Sequence, residues 1–91
     1  MSDEVIRKVG HETVTIAASA TAISAAGVTG AILQAADTNS GPIYLGGSGV
    51  TTSNYGFKLP AGSSVPVGMF DLSALYAVGT ANDKLHILEA F

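Results

Sequence analysis

The stretch GPIYLGGSGVTTSNYGFKL, residues 41–59, sets the reading of the whole chain. Pro42 opens a short β-type run, Ile43-Tyr44-Leu45, which crosses Gly46-Gly47-Ser48-Gly49 and resumes with Val50-Thr51-Thr52. Closely spaced glycines let the backbone take positive φ or lie close against another chain. The segment therefore reads as a strand, a sharp corner or bulge, and a return. It predicts a compact all-β module, and none of its residues brings evident chemistry.

Upstream, Val14, Ile16 and Ala18 alternate with Thr13, Thr15 and Ala17, the period of two that marks a half-buried strand. Residues 17–31 are alanine-rich, but Thr21, Ile23, Gly27, Val28, Thr29 and Gly30 are poor helix formers, and no charged residue supports a helix there. We read an irregular turn near 24–29 leading to a second strand at 31–36. Residues 37–41, Asp-Thr-Asn-Ser-Gly, have the composition of a hairpin loop, with Asp37 bonding the loop backbone and Gly41 closing it. Ile43-Tyr44-Leu45 is then the antiparallel partner of the second strand.

Downstream, residues 51–56 read as a turn or edge segment, from which Phe57 and Leu59 bring the chain back. Pro60-Ala61-Gly62 predicts a β-turn with Pro60 at its first corner. Val65, Val67 and Met69 alternate with Ser64, Pro66 and Gly68, and Pro66, with no N–H to donate, makes this an edge strand or one with its amide side outward. Residues 70–75 read as one helical turn capped by Asp71, residues 75–78 as a strand and 79–83 as a turn. Residues 84–91 form the last strand, with Leu85, Ile87 and Phe91 inward. Six or seven short strands at roughly ten-residue spacing predict a small antiparallel β-sandwich or barrel over residues 13–91. Residues 1–12 form a charged N-terminal arm anchored by Val5, Ile6 and Val9.

The 91 residues hold one domain, which at this size buries only about 60–65% of its unfolded surface. There is no cysteine to supply a disulfide or a thiolate metal site. Asp3, Glu4, Arg7, Lys8 and Glu12 crowd the arm, and residues 13–91 carry only Asp37, Lys58, Asp71, Asp83, Lys84 and Glu89. With 47% hydrophobic residues beside so few charges, the outer faces must be built of Ser, Thr, Gly and Ala. A monomer of this size keeps a more charged surface; this one predicts a subunit packed against others. Four dispersed basic residues argue against nucleic acid. No apolar run approaches the ~20 residues of a membrane span, and the N-terminus lacks the apolar segment of a signal peptide.

The search for chemistry returns no catalytic residue, metal ligand or cofactor site. The 46–49 loop lacks the Lys-Ser/Thr of a P-loop, and Ser48 is followed by Gly49-Val50 where a nucleophile elbow needs x-Gly. His11 and His86 belong to no ligand-spaced cluster. Asp37, Asp71 and Asp83 fall at turns, where backbone capping accounts for them. Tyr44, Tyr55 and Tyr76 suit core edges, interface anchors or a sugar-binding face.

The frame of residues 31–91 resembles a widespread group of small bacteriophage virion proteins. The shared pieces are an Ala-Asp-x-Asn turn at 36–39, an Ile-Tyr-Leu-Gly-Gly-Ser strand at 43–48, Leu-x-x-Gly at 59–62, Asp-Leu-Ser-x-Leu-Tyr-Ala at 71–77, and a closing strand with Leu85 and Glu89. Together these pieces are specific; singly they are weak. The resemblance implies a virion structural protein without catalytic residues, made in the bacterial host cytoplasm. The favoured role is a capsid cement or decoration protein, a homotrimer seated between capsomers on the major capsid protein. The alternative is a head-fibre or tail module recognising a host surface glycan or protein. The interface residues we expect are Val5, Ile6, Val9, Tyr44, Gly46, Gly47, Tyr55, Phe57 and Phe91.

Overall fold

The computed structural model describes residues 9–23, 30–67 and 75–90. They hold eight strands: β1 (Val9–Thr15), β2 (Thr21–Ala22), β3 (Gly30–Ala35), β4 (Ile43–Gly46), β5 (Phe57–Leu59), β6 (Ser64–Val67), β7 (Tyr76–Val78) and β8 (Lys84–Ala90). Every pairing is antiparallel. The strands form two four-stranded sheets, β1-β8-β3-β6 and β2-β7-β4-β5. Each successive strand from β1 to β4 and from β5 to β8 changes sheet, which is the order of a jelly roll.

Alternation along the strands builds the core. On β3 Ala31, Leu33 and Ala35 point inward, and on β8 Leu85 and Ile87 do. They meet Ile43, Leu45, Leu59 and Ala77 of the second sheet, with Ile16 and Ile23 closing the layer between. Val65 and Val67 pack on the same cluster while Pro66 turns outward from edge strand β6, as its missing N–H requires. The 60–63 turn is present, but one step displaced from expectation. Ser63 N–H donates to Pro60 O at 2.9 Å, so Ala61 takes the first corner and Gly62, at φ +82°, the second.

Three expectations are corrected. The described residues already hold eight strands, where six or seven were expected, because the two-residue β2 has no alternating pattern to announce it. β3 and β4 are not a hairpin: β3 pairs with β6 and β8, β4 with β5 and β7, and residues 36–42 cross between the sheets. Val9 to Glu12, assigned to the arm, are the first half of β1 and pair with residues 87–90 of β8. The helical turn expected over 70–75 lies outside the described residues apart from Leu75, as do the turn near 24–29 and Phe91.

The crossover is held from the far end of the chain. Asp83, only 6% exposed, accepts the N–H groups of Ser40 and Gly41 at 2.9 and 3.1 Å. Asn39 pairs with the Lys84 backbone as another strand would, its Nδ2 donating to Lys84 O at 2.9 Å and its Oδ1 accepting Lys84 N–H at 2.8 Å. The carboxylate on the loop is therefore Asp83 and not Asp37, which is exposed.

Candidate interaction surfaces

The two outer faces of the sandwich differ. On the second sheet, the loop after β4 folds back over its own strands. Val50 is buried although it lies outside the main core, and so is Val78, which points outward from β7; the two share the wall of one cavity. A Cβ built on Gly46 would stand 3.1 Å from Val50 Cγ2 and 3.4 Å from Gly56 N. Gly46 lacks a side chain because the returning loop lies on it. Gly47 is different: it has no left-handed φ, and an added Cβ would meet nothing within 4 Å.

The outer face of the first sheet is bare. The registers align its outward residues in rows: Val9 with Ala90 and Gly30; His11 with Leu88, Ile32 and Pro66; Thr13 with His86, Gln34 and Ser64; Thr15 with Lys84. Lys84 is the one Lys, Arg, Asp or Glu among them, and its Nζ donates to Thr15 Oγ1 at 3.0 Å. Thr13 Oγ1 and His86 Nδ1 are bonded at 3.1 Å. At the other end Val9, Leu88 and Ile32 are 63%, 49% and 45% exposed. Among the described residues the face thus grades from a polar ladder to an apolar end whose rows hold no Lys, Arg, Asp or Glu. His11 and His86 share this face, and no cluster of three metal-ligating residues occurs among the described residues.

Beneath that apolar end lies a carboxyl pair the sequence did not announce. Glu89 follows the inward phase of β8 and is 5% exposed. Its neighbour in register, Gly10, offers no side chain, and Glu12 lies two residues further along β1 on the same face. Burial, then a hydrogen bond with Glu12 and repulsion from its charge, push the Glu89 carboxyl above the ordinary carboxylate range, with His11 pulling the other way.

Of the expected interface residues, Val5, Ile6 and Phe91 lie outside the described residues. Val9 is on the apolar end of the first sheet. Tyr44 and Tyr55 come together on the second sheet with ring centroids 4.8 Å apart, and Lys58 Nζ stands 6.0 Å from the Tyr44 centroid. Phe57, 46% exposed, opens onto an apolar groove at the sandwich edge with Val65, Val67 and Leu75. Gly46 is half-buried and lines the concavities on both sides of it, with Val50 Cγ2 3.1 Å from where its Cβ would stand. Ile32, Leu88 and Pro66, outside the expected set, are exposed apolar residues, each in the outward phase of a strand whose inward phase is plain.

No protein-family profile matches the chain, and no curated protein does. Among solved structures it is similar to a chain described with the work "Bacillus endospore appendages form a novel family of disulfide-linked pili", at 20% identity and a TM-score of 0.50, over 100% of this chain and 97% of that one. At that identity the likeness speaks to the fold alone.

Proposed function

We propose that the protein is a virion structural subunit of a bacteriophage, a cement or decoration protein that docks on the assembled shell through the outer face of its first sheet. The observation that carries the proposal is the bare face itself, with one charged residue and three large exposed apolar side chains. The motif frame of residues 31–91 supports the phage assignment. The jelly-roll fold is compatible with it and with other assemblies. A disulfide-linked filament of the kind named for the structural neighbour is not what this sequence supports, since it has no cysteine.

Size decides how the face is used. Strands of seven, seven, six and four residues, about 4.8 Å apart at about 3.4 Å per residue, cover about 390 Å². A stable two-body complex takes about 800 Å² from each partner. The face therefore works as one contact among several: the shell on this side, sister copies through other edges in a closed homotrimer. Burying its apolar end adds stability without chemistry, and the effect multiplies over the shell.

The test is a titration of the full chain onto undecorated shells. Ile32→Lys with Leu88→Lys should weaken binding at least tenfold, about 1.4 kcal/mol or more, with the circular dichroism spectrum unchanged. Undiminished binding by the folded double variant would refute docking through this face.

A further inference from the structure

The second sheet has a corner that docking through the first leaves unused. Tyr55 is 44% exposed and leans on Tyr44 at an interplanar angle of 54°. Beside it is a concavity of about 270 Å³ whose wall includes Gly47, Gly49, Asn54 and Tyr55 and, among the described residues, no Lys, Arg, His, Asp or Glu. The backbone here is set firmly. Thr51 Oγ1 accepts the N–H groups of Ser53 and Asn54 at 3.2 and 2.9 Å, and Thr51 and Asn54 exchange backbone bonds at 2.9 and 3.3 Å. The Asn54 side-chain amide makes no bond to another described residue. Neither Gly47 nor Gly49 is required by the fold, because an added Cβ at either meets nothing and neither φ is left-handed. What their bare backbone provides is open access to the corner.

We propose that this corner is a saccharide-binding site, taking one neutral pyranose unit of a glycan. A pyranose presents an apolar C–H face ringed by hydroxyls. It needs an exposed aromatic ring, an amide able both to donate and to accept, and no side chain in between. Tyr55, Asn54 and the 47–49 turn supply the three. The uncharged wall selects a neutral sugar over an acidic one. An apolar peptide side chain, by contrast, is better matched by the groove beside Phe57, which has no polar lining. The corner and the bare face lie on different sheets, so occupancy of one leaves the other free, and the inference does not depend on the shell-docking proposal.

The experiment applies the full chain to a microarray of neutral and acidic oligosaccharides. Methyl glycosides of the retained sugars are then titrated by intrinsic tyrosine fluorescence, a clean signal in a chain with three tyrosines and no tryptophan. A dissociation constant of about 0.1–1 mM is expected for a single sugar unit. Tyr55→Ala and Gly47→Val should each weaken binding about tenfold or more, Tyr55→Trp should retain it, and Tyr76→Phe should leave it unchanged. The circular dichroism of Gly47→Val should match the parent, which separates a blocked site from a broken fold. Retention of no neutral glycan, retention of acidic glycans alone, or binding that survives Tyr55→Ala would each overturn the proposal.

Discussion

At position 83 a single carboxylate joins two loops 42 and 43 residues apart in the chain. A charged acceptor bonded to two amides is worth about 1.5–3 kcal/mol per bond. Asp83→Ala should therefore lower unfolding free energy by about 3–6 kcal/mol in urea titrations, while Asp37→Ala, at an exposed position, should stay within about 0.5 kcal/mol of the parent. Equal effects would return the loop to local capping by Asp37. The glycines divide in the same way. Gly46→Val forces methyl groups against Val50 and should cost about 1–3 kcal/mol, whereas Gly47→Val meets open space and should be nearly neutral. These residues show where sequence reading stops. Turn composition located both loops correctly, but the group that satisfies one loop comes from the other, and no local pattern encodes that. Two adjacent glycines look alike in sequence, and only the return of Val50 over Gly46 distinguishes them.

The strands themselves were legible, because period-two alternation follows directly from one face being buried. Val14 and Ile16 at β1, Val65 and Val67 on β6, and Leu85 and Ile87 on β8 all face the core as the pattern says. Pairing was not legible. A short polar loop between two strands suits a hairpin and a crossing between stacked sheets equally, and residues 36–42 make the crossing. Glu89 is the exception within β8, a carboxyl in the inward phase. Its folded-state pKa is raised, so the stabilisation it gives is fully present below the unfolded carboxylate range and is lost as pH rises through the raised value. Melting temperature measured from pH 7 down to 4.5 should thus climb more for the parent than for Glu89→Gln, and the glutamine variant should be the more stable of the two near neutrality. A parent whose profile parallels that of Glu89→Gln would show that residue 89 is ionised freely.

For the whole molecule, the asymmetry of the sandwich organises the account. One outer face is covered by the protein's own loop and the other is left bare and nearly uncharged. Low charge already pointed to a packed subunit in the sequence, but which face is bare depends on the fold-back of the 47–56 loop. At micromolar concentration the isolated chain should sediment at equilibrium as an assembled species; a stable 9.1 kDa monomer across that range would count against closed self-association. Docking through the first sheet, as proposed, is tested by a cryo-EM reconstruction of virions carrying this chain at a resolution that traces strands. Such docking places density for this chain at regular sites over the capsid exterior, with β1, β8, β3 and β6 laid against the shell and the Tyr44–Tyr55 corner facing away. Density confined to the tail or fibres, or a shell-bound subunit whose first sheet faces solvent, would contradict it.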